Sequence, residues 1–318
     1  MKAVVLAAGA GERQGRLSEE RLKPLLPTLD ITQLEWNLSS LSLAGASTIY
    51  VNTNRHAEQI VRVADRTHES LNIDLRMSHE PGEPLGTAGA LRNLRDELDS
   101  TFIVVNGDVL CDEPIDKLVT AHASAGAACT LFVVADRHRG DFVIENDWVT
   151  GLVDRRESRE PGWVYTGIGI FEPSLIELIP EGPIGLYESV LTAVLQEGRG
   201  MACVELAGYW RDVGTPEAHL LSNLEALSGA FSLRSIPGLL GTEASRNDPL
   251  AYVGQGAEIS GCDLRHCVVG SGARVGAGSR LHRCVVWDNT DVATGDYSEV
   301  IITPRGITPA RLYEETTP

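Results

Sequence analysis

Short apolar runs rich in β-branched residues alternate with amphipathic stretches along residues 1–227, and this alternation constrains the fold more than any other feature. It is typical of strands joined by helical crossovers, so it predicts an α/β domain on a mostly parallel sheet. Predicted strands cover residues 3–7, 48–52, 102–106, 130–134, 164–171 and 202–205. Predicted helices cover residues 33–44, 56–66, 88–98, 115–125, 188–197 and 216–228. Because such sheets bind ligands at the carboxyl ends of their strands, the segments after the strands are the places to look for chemistry.

A different pattern begins near residue 250. The sequence Leu264-Arg-His-Cys-Val-Val-Gly recurs 17 residues later as Leu281-His-Arg-Cys-Val-Val-Trp, and an aliphatic residue stands near every sixth position. This spacing predicts a short left-handed β-helix of about three hexapeptide coils, with Cys267 and Cys284 stacked inside. The predicted organisation is a domain of residues 1–228, a linker of 229–249, the coils of 250–304 and a tail of 305–318.

The charge balance limits the partners. The chain has 27 basic and 44 acidic residues and a formal charge of -17, which opposes a general role on nucleic acid or on an anionic membrane. No apolar run approaches the roughly 20 residues that span a bilayer, and the first residues do not form a secretion signal. Six cysteines in 318 residues are too sparse for a disulfide framework. Together these features favour a cytoplasmic protein.

Two segments near the N-terminus have residues suited to phosphate. Gly9 and Gly11 follow the first predicted strand, and the amides of such a loop can approach a phosphate. Gly15 lies four residues after Gly11 rather than three, so the loop departs from the dinucleotide fingerprint, and a tight turn without a ligand explains it equally well. Lys23 is one of three lysines among 27 basic residues, which suggests a compact point charge. A solvated surface lysine is the alternative.

Three further positions could serve binding. The sequence Pro84-Leu-Gly-Thr-Ala-Gly89 opens a predicted helix and would offer amides to a base, ribose or phosphate, although helix capping and close packing explain it almost as well. Asp108 closes the strand of 102–106, and Asp212 precedes a turn and a helix. Each alone is more often a turn or cap residue. As a pair they could share one Mg²⁺, which takes one or two protein carboxylates and substrate phosphates.

The cysteines and histidines of the coils suggest zinc only weakly, because their spacing follows the coil period and Cys-x₂-Cys is absent. Together, the other motifs resemble the sugar-1-phosphate nucleotidylyltransferase family. They occur in the family's order, and the ordered combination is specific although each motif alone is not. With the coils, the chain is closest in appearance to mannose-1-phosphate guanylyltransferases. The motifs are Leu6-Ala-Ala-Gly-Ala-Gly11 with Arg13, Lys23-Pro-Leu-Leu-Pro27, Pro84-Leu-Gly-Thr-Ala-Gly-Ala90, Asn106-Gly-Asp108, Tyr165-Thr-Gly-Ile-Gly169 and Trp210-Arg-Asp-Val-Gly-Thr-Pro216.

The resemblance implies a Rossmann-like enzyme domain that transfers a nucleoside monophosphate from an NTP, with GTP favoured, to a sugar 1-phosphate and releases pyrophosphate. The implied sugar is mannose or a related hexose or heptose, and the implied cofactor is Mg²⁺. No nucleic acid or membrane partner is expected. A homo-oligomer formed through the coils is expected, because their apolar ends need a cap or partner. The implied roles are catalysis by Arg13 and Lys23, nucleotide binding by Leu6, Ala8, Gly9, Gly11, Gly86, Thr87, Ala88, Gly89 and Asp108, sugar binding by Asn106, Gly107, Thr166 and Gly167, and metal binding by Asp108 and Asp212.

Three features depart from the family's pattern. Glu12 stands where Thr or Ser usually precedes the loop arginine, which places an acid beside the triphosphate. No lysine follows Lys117, so the family's second lysine is missing and Arg155 or Arg156 is its candidate replacement. Tyr165 replaces the usual Asn, so heptose and acetylated amino-sugar phosphates are also candidate substrates. The alternative functions are a non-catalytic regulatory subunit that binds a nucleotide sugar and a hexapeptide acyltransferase.

Overall fold

The structure is a computed structural model that describes residues 1–9, 11–71, 73–136, 140–153, 161–231 and 251–312. The predicted linker therefore lies outside the described residues from position 232 onward, as does the predicted tail from position 313. The chain packs into two units that are not continuous in sequence. Unit 1 consists of Met1–Ala10 and Asn37–Trp210, and unit 2 of Gly11–Trp36 and Arg211–Pro318.

The secondary structure of both units is as follows. The strands are β1 (Lys2–Leu6), β2 (Pro27–Thr28), β3 (Ile31–Thr32), β4 (Thr48–Thr53), β5 (Asp74–His79), β6 (Phe102–Asn106), β7 (Val109–Cys111), β8 (Cys129–Asp136), β9 (Phe142–Glu145), β10 (Trp148–Leu152), β11 (Gly162–Phe171), β12 (Met201–Glu205), β13 (Trp210–Asp212), β14 (Ala251–Val253), β15 (Asp263–Arg265), β16 (Cys267–Val269), β17 (Arg274–Val275), β18 (Arg280–His282), β19 (Val285–Val286), β20 (Asp291–Val292), β21 (Asp296–Ser298), β22 (Val300–Thr303) and β23 (Gly306–Pro309). The α-helices are α1 (Arg16–Glu20), α2 (Gln33–Leu43), α3 (Ala57–Leu71), α4 (Gly86–Asn93), α5 (Asp116–Ala125), α6 (Thr192–Gln196) and α7 (Pro216–Ser228). Short 3₁₀ helices span Glu12–Gln14, Lys23–Leu25 and Pro173–Leu178, and a π-helix spans Tyr187–Leu191.

A nine-stranded sheet crosses unit 1 in the order β5-β4-β1-β6-β11-β8-β12-β10-β9. The first four strands are parallel, but β11 runs antiparallel to both β6 and β8. Strands β8 and β12 are again parallel, whereas β10 runs antiparallel to β12 and to β9. The prediction of a mostly parallel sheet is therefore correct in part, and the sheet is mixed. The chain between β8 and β11 contains the β9–β10 hairpin, whose two turn residues, Asn146 and Asp147, have positive φ. Hairpin turns of this kind join antiparallel strands without a crossover helix.

The predicted strands and helices of unit 1 are confirmed, with shifts at their ends. Strands β5, β7, β9 and β10 were not predicted. In β5, exposed residues alternate with partly buried ones, so the strand lacks the apolar run that marks the others. The core lies on the sheet and includes stacked Phe102 and Phe171, with ring centroids 6.1 Å apart. Among the described residues, no helix is long and apolar enough to cross a membrane.

The C-terminal strands of unit 2 stack in three ladders, β14-β16-β19-β22, β15-β18-β21 and β17-β20, in which all neighbours are parallel. Leu264 pairs with Leu281, the two leucines that the 17-residue repeat aligns. Cys267 and Cys284 are fully buried, as predicted for stacked positions. Strand β23 pairs antiparallel with β22 and so extends the first ladder by a hairpin.

Unit 2 also contains a buried histidine. His219 on α7 is fully buried, and its Nε2 accepts a hydrogen bond from Trp287 Nε1 at 3.2 Å. Burial, together with the charge of Arg21, lowers the pKa of His219 to about 3. His219 is therefore neutral in the folded protein at neutral and mildly acidic pH.

We expect acid to destabilise unit 2 through His219. The pKa of an unfolded histidine is about 6.5, so between that pH and about 3 the unfolded chain binds a proton that the folded chain does not. The free energy of unfolding should fall by about 2 kcal/mol from this group between pH 7 and pH 5. Denaturant unfolding at both pH values measures the loss in the parent and in His219→Gln, whose amide oxygen keeps an acceptor for Trp287 but does not titrate. An equal pH dependence in the two proteins would contradict the assignment.

Candidate active site

Parallel strands of unit 1 bring several predicted residues to one edge of the sheet. Leu6 is the last residue of β1 and Asn106 the last residue of β6. The two strands are parallel, and these two residues lie opposite each other in the pairing. The Gly107 N–H donates to the Leu6 carbonyl at 2.9 Å, which ties the segment after β6 to the end of β1. Asp108 follows in the turn before β7. The predicted nucleotide- and sugar-binding residues at these strand ends are therefore neighbours.

A buried hydrogen-bond network holds the loop after β1. Asn52 Oδ1 accepts hydrogen bonds from the backbone N–H groups of Ala7 and Ala8, the latter at 3.2 Å. Asn52 Nδ2 donates to Glu80 Oε1 at 2.7 Å, and Glu80 Oε2 accepts from the Leu85 N–H at 2.9 Å. Glu80 is only 1% exposed. One buried carboxylate thus connects the loop that begins at Ala8 to the start of α4.

Neither Asn52 nor Glu80 is among the site residues predicted from the sequence. Asn52 follows the apolar run of residues 49–51 near the carboxyl end of β4, and a polar residue at that place was the available signal. Glu80 gave no such signal, because it follows β5, the strand whose alternating exposure hides it. Its contacts connect segments that lie far apart in sequence.

The predicted nucleotide-binding turn at residues 86–89 forms the first turn of α4 and packs against the chain at Ile184. The Ile184 carbonyl accepts hydrogen bonds from the N–H groups of Ala88 and Gly89 at 3.0 and 3.4 Å. Thr87 Oγ1 accepts a backbone N–H at 2.7 Å. These amides and this hydroxyl take part in packing, the role that the sequence offered as the alternative. A contact of this turn with a nucleotide stays a prediction.

Strand β11 bulges at the predicted sugar loop. Its pairing with β8 shifts after Tyr165, and Gly167 has a φ of 86°, a conformation that favours glycine. Asn106 lies against this bulge, since a Cβ on Gly167 would come within 2.7 Å of Asn106 Nδ2. Thr166 is 1% exposed, and its hydroxyl donates to a backbone carbonyl of β8 at 3.0 Å. Burial raises the pKa of Tyr165. The bulge of β11 thus lies against Asn106. The Thr166 hydroxyl is already hydrogen-bonded to the sheet.

The predicted phosphate-binding residues of unit 2 lie around Gly11. Arg13 is on the 3₁₀ helix that follows Gly11, and Lys23 begins the next 3₁₀ helix. The Lys23 side chain passes over Gly11, because a Cβ on Gly11 would lie 3.4 Å from Lys23 Cγ. Lys23 is buried, whereas Glu12 is exposed. The Lys23 stem is therefore placed against Gly11, two residues before Arg13 in the same loop.

Arg13 forms an ion pair with the predicted metal ligand Asp212. Its Nη2 lies 3.3 Å from Asp212 Oδ2, and its side chain is 61% exposed. Gln14 Nε2 donates to the Val213 carbonyl at 2.7 Å, which fixes the loop beside the end of β13. A Cβ on Gly214 would lie 2.7 Å from both Arg13 Nη2 and Asp212 Oδ1. A side chain at this position would displace one member of the pair, which is partly exposed and contributes little to stability.

Asp212 fits the role of a metal ligand. Its Oδ1 is buried and has no hydrogen-bond partner within the described part of the chain. An unpaired buried carboxylate oxygen is costly unless a cation or donor meets it, and Mg²⁺ prefers such oxygens. The described residues contain no group of three or more His, Cys, Asp or Glu side chains arranged to hold a metal. Mg²⁺ needs no such cage, because it usually takes one or two carboxylates together with phosphates and water.

Arg155 and Arg156, the candidate replacements for the missing second lysine, lie outside the described residues. Their role in binding the sugar phosphate stays a prediction.

Comparisons with known proteins agree with these motifs. The model of the nucleotidyl transferase family matches residues 2–228. A mannose-1-phosphate guanylyltransferase of Mycobacterium tuberculosis is 29% identical over 301 residues, which cover 92% of this chain and 81% of that protein. A mannose-1-phosphate guanylyltransferase catalytic subunit beta of Danio rerio is 27% identical over 317 residues, covering 91% and 87%.

A solved structure from Bacillus anthracis, described as a glucose-1-phosphate thymidylyltransferase in complex with a sucrose, has a similar fold. It matches with a TM-score of 0.65 at 19% identity and covers 74% of this chain and 98% of that chain. At this identity the similarity concerns the fold alone. The family model, by contrast, spans most of the sequence and includes every motif of the predicted site. The resemblance is therefore confirmed, and the chain belongs to the nucleotidyl transferase family of enzymes.

Proposed function

We propose that the protein transfers a nucleoside monophosphate from an NTP to a sugar 1-phosphate and releases pyrophosphate. GTP is the favoured nucleotide, and mannose 1-phosphate or a related hexose or heptose phosphate is the favoured acceptor, because both relatives described above are mannose-1-phosphate guanylyltransferases. The observation that carries the proposal is that Lys23 packs against Gly11 of the loop that also contains Arg13, while Arg13 contacts Asp212.

This arrangement solves the charge problem of the reaction. Both substrates are polyanions, whereas the chain has a formal charge of -17. A local cluster of positive charge attracts an anion even when the net charge of the protein is negative. Lys23 is well suited because its stem is buried against Gly11, so its ammonium group would need little reorganisation when substrate binds.

In the proposed reaction, an oxygen of the sugar phosphate attacks the α-phosphorus of the NTP. The new P–O bond forms as the bond to the β-phosphate oxygen breaks, and pyrophosphate leaves with the electron pair. The attacking oxygen is already a nucleophile, so alignment and charge stabilisation supply most of the catalysis and no covalent enzyme intermediate is needed. Arg13 would hold the triphosphate, and Lys23 would stabilise the negative charge at the α-phosphate.

Asp212, with its unpaired oxygen, and Asp108, assigned from the motif, are the proposed Mg²⁺ ligands. When bound, the ion would neutralise charge on the phosphate oxygens. Arg13 beside Asp212 would then direct its guanidinium to the same phosphates. The other nucleotide- and sugar-binding roles predicted from the motifs are part of the proposal.

For the C-terminal strands, we propose the predicted left-handed β-helix of hexapeptide repeats and a homo-oligomer formed through it. Parallel pairing between residues 16 or 17 positions apart, as between Val268 and Val285, supports a coil of that length. A cytoplasmic location stays a prediction from the sparse cysteines.

A panel of the four common NTPs and dTTP against hexose, heptose and acetylamino-hexose 1-phosphates tests the proposed function. We expect pyrophosphate release with GTP and mannose 1-phosphate or a close relative, and we expect EDTA to abolish it and Mg²⁺ to restore it. Isothermal titration with GDP-mannose serves as the companion measurement. Binding of this nucleotide sugar without pyrophosphate release from any pair would favour the regulatory subunit instead.

We expect Lys23→Ala to lower kcat by about 10²–10³, because it removes a preorganised charge from the phosphate site. Lys117→Ala is the matched control, since Lys117 is exposed on α5 and forms an ion pair with Glu113. Steady-state kinetics of both variants with the best substrate pair provide the measurement. Small and equal effects would make Lys23 an ordinary structural lysine.

We expect Gly214→Ala to reduce kcat/KM by about 10², because the new methyl group displaces the Arg13 guanidinium and Asp212. The guanidinium is the end of a flexible side chain, so the melting temperature should change little. Gly151→Ala is the control, because a Cβ there meets Val143 at an ordinary 3.7 Å. Parental kinetics in Gly214→Ala would show that the position of this pair does not matter for the reaction.

A further inference from the structure

One ladder of the C-terminal strands is apolar on both faces. In β14-β16-β19-β22, Tyr252, Val268, Val285 and Ile301 stand in register, and we call these four residues the outer row. Each is at most 4% exposed. Their neighbours on the strands, among them Cys267 and Cys284, belong to a separate cluster inside the coils. Side chains alternate between the faces of a strand, so the outer row needs cover from another part of unit 2.

The ladder β15-β18-β21 shows the contrast. Its inner position is apolar, but its outer positions are charged and largely exposed. Arg280, for example, forms an ion pair with Asp296, and their side chains are 70% and 62% exposed. A stack of coils therefore does not require an apolar outer face. The apolar outer row is therefore a particular feature of the ladder β14-β16-β19-β22.

Two parts of unit 2 cover the outer row. One is α7, through Leu220 and Leu227. The other is the stretch of residues 11–36, which contains Arg13 and Lys23 and which we call the Arg13–Lys23 segment. Its Leu17 on α1 is 1% exposed, and its Leu26 is fully buried, both in the same cluster as the outer row. The segment with the two basic residues is thus packed on the C-terminal strands.

Polar contacts fix this packing near Lys23. The Arg21 guanidinium carbon lies 4.6 Å from the centre of the Trp287 ring, and Arg21 Nη2 donates to Asp288 Oδ1 at 2.7 Å. Trp287 is fully buried and is itself held by its hydrogen bond to His219. A guanidinium that both stacks on a ring and bonds a carboxylate has a defined position and orientation. Arg21 stands two residues before Lys23.

A second contact anchors the other end of the segment. Asp30 Oδ2 accepts hydrogen bonds from the hydroxyls of Tyr252, at 2.5 Å, and Ser271, at 2.8 Å. The Arg13–Lys23 segment is therefore attached to the C-terminal strands on both sides of Lys23.

We propose that Arg21 is a positioning residue for the transfer reaction, and that Trp287 and Asp288 hold the Arg13–Lys23 segment in its active conformation through it. The C-terminal strands would then serve the catalytic step directly, in addition to any role in assembly. The kinetic part of this inference rests on the proposed function, whereas the ordering of the segment does not.

Hydrogen exchange and kinetics of full-length variants test the proposal together. Arg21→Met removes the contact, Asp288→Asn weakens it, and Arg21→Lys keeps the charge without the planar group. The matched control is Arg280→Met, which removes an exposed Arg–Asp pair that lies on another ladder. The backbone hydrogen bonds of the segment, such as Arg21 N–H to the Leu17 carbonyl and Leu26 N–H to the Lys23 carbonyl, report on its order by mass spectrometry.

We expect Arg21→Met to accelerate exchange in peptides of residues 13–26 and to lower kcat about tenfold, with a smaller change in KM for the NTP. Arg21→Lys should give intermediate values. Adding Asp288→Asn to Arg21→Met should have no further effect, since both act on one contact. Arg280→Met should match the parent in both measurements.

Parental exchange in Arg21→Met would overturn the proposal, whatever the kinetics. Faster exchange with parental kcat would also overturn it, because the contact would then be structural only. If the parent protein catalysed no transfer with any substrate pair, the proposed function would fail. In that case unchanged exchange would refute the anchoring of the segment, and faster exchange confined to residues 13–26 would support it.

Discussion

The parallel pairing of β1 with β4 and β6 is the constraint on which unit 1 depends. β1 is the strand between these two neighbours, and its middle residues, Ala3 to Val5, are fully buried, so each of its peptide groups must find a partner in the sheet. Because parallel strands end at the same edge, this pairing brings Leu6, Asn52 and Asn106 together. A shift in register by one residue would turn the apolar side chains to the other face and take Asn52 away from the amides of the loop.

The basic residues of the site follow a different logic, in which position matters more than number. The chain is strongly acidic, and several of its cations, such as Lys117 and Arg280, are exposed and paired with nearby carboxylates. Lys23 is buried against Gly11, and Arg13 lies beside Asp212 in space that the missing side chain of Gly214 leaves open. A buried cation such as Lys23 loses little energy to reorganisation when an anion binds.

The apolar outer row links this local chemistry to the division of the chain into units. A ladder that is apolar on both faces must be covered, and the stretch between β1 and α2 supplies part of the cover through Leu17 and Leu26. This explains why residues 11–36 belong to the same unit as the C-terminal strands. One short stretch thus contains both the basic residues and the apolar side chains that hold it.

Local patterns determined most of the secondary structure, the family motifs and the 17-residue repeat, because apolar periodicity and glycine-rich turns are properties of neighbouring residues. They also pointed to Arg13, Lys23 and Asp212. The tertiary structure alone decided the antiparallel course of β11, the use of the α4 amides in packing at Ile184, and the contacts of Glu80. It also decided that residues 11–36 join the C-terminal strands. Each of these depends on contacts between residues far apart in the chain, and no local pattern records which distant partner satisfies a given peptide group, carboxylate or apolar face.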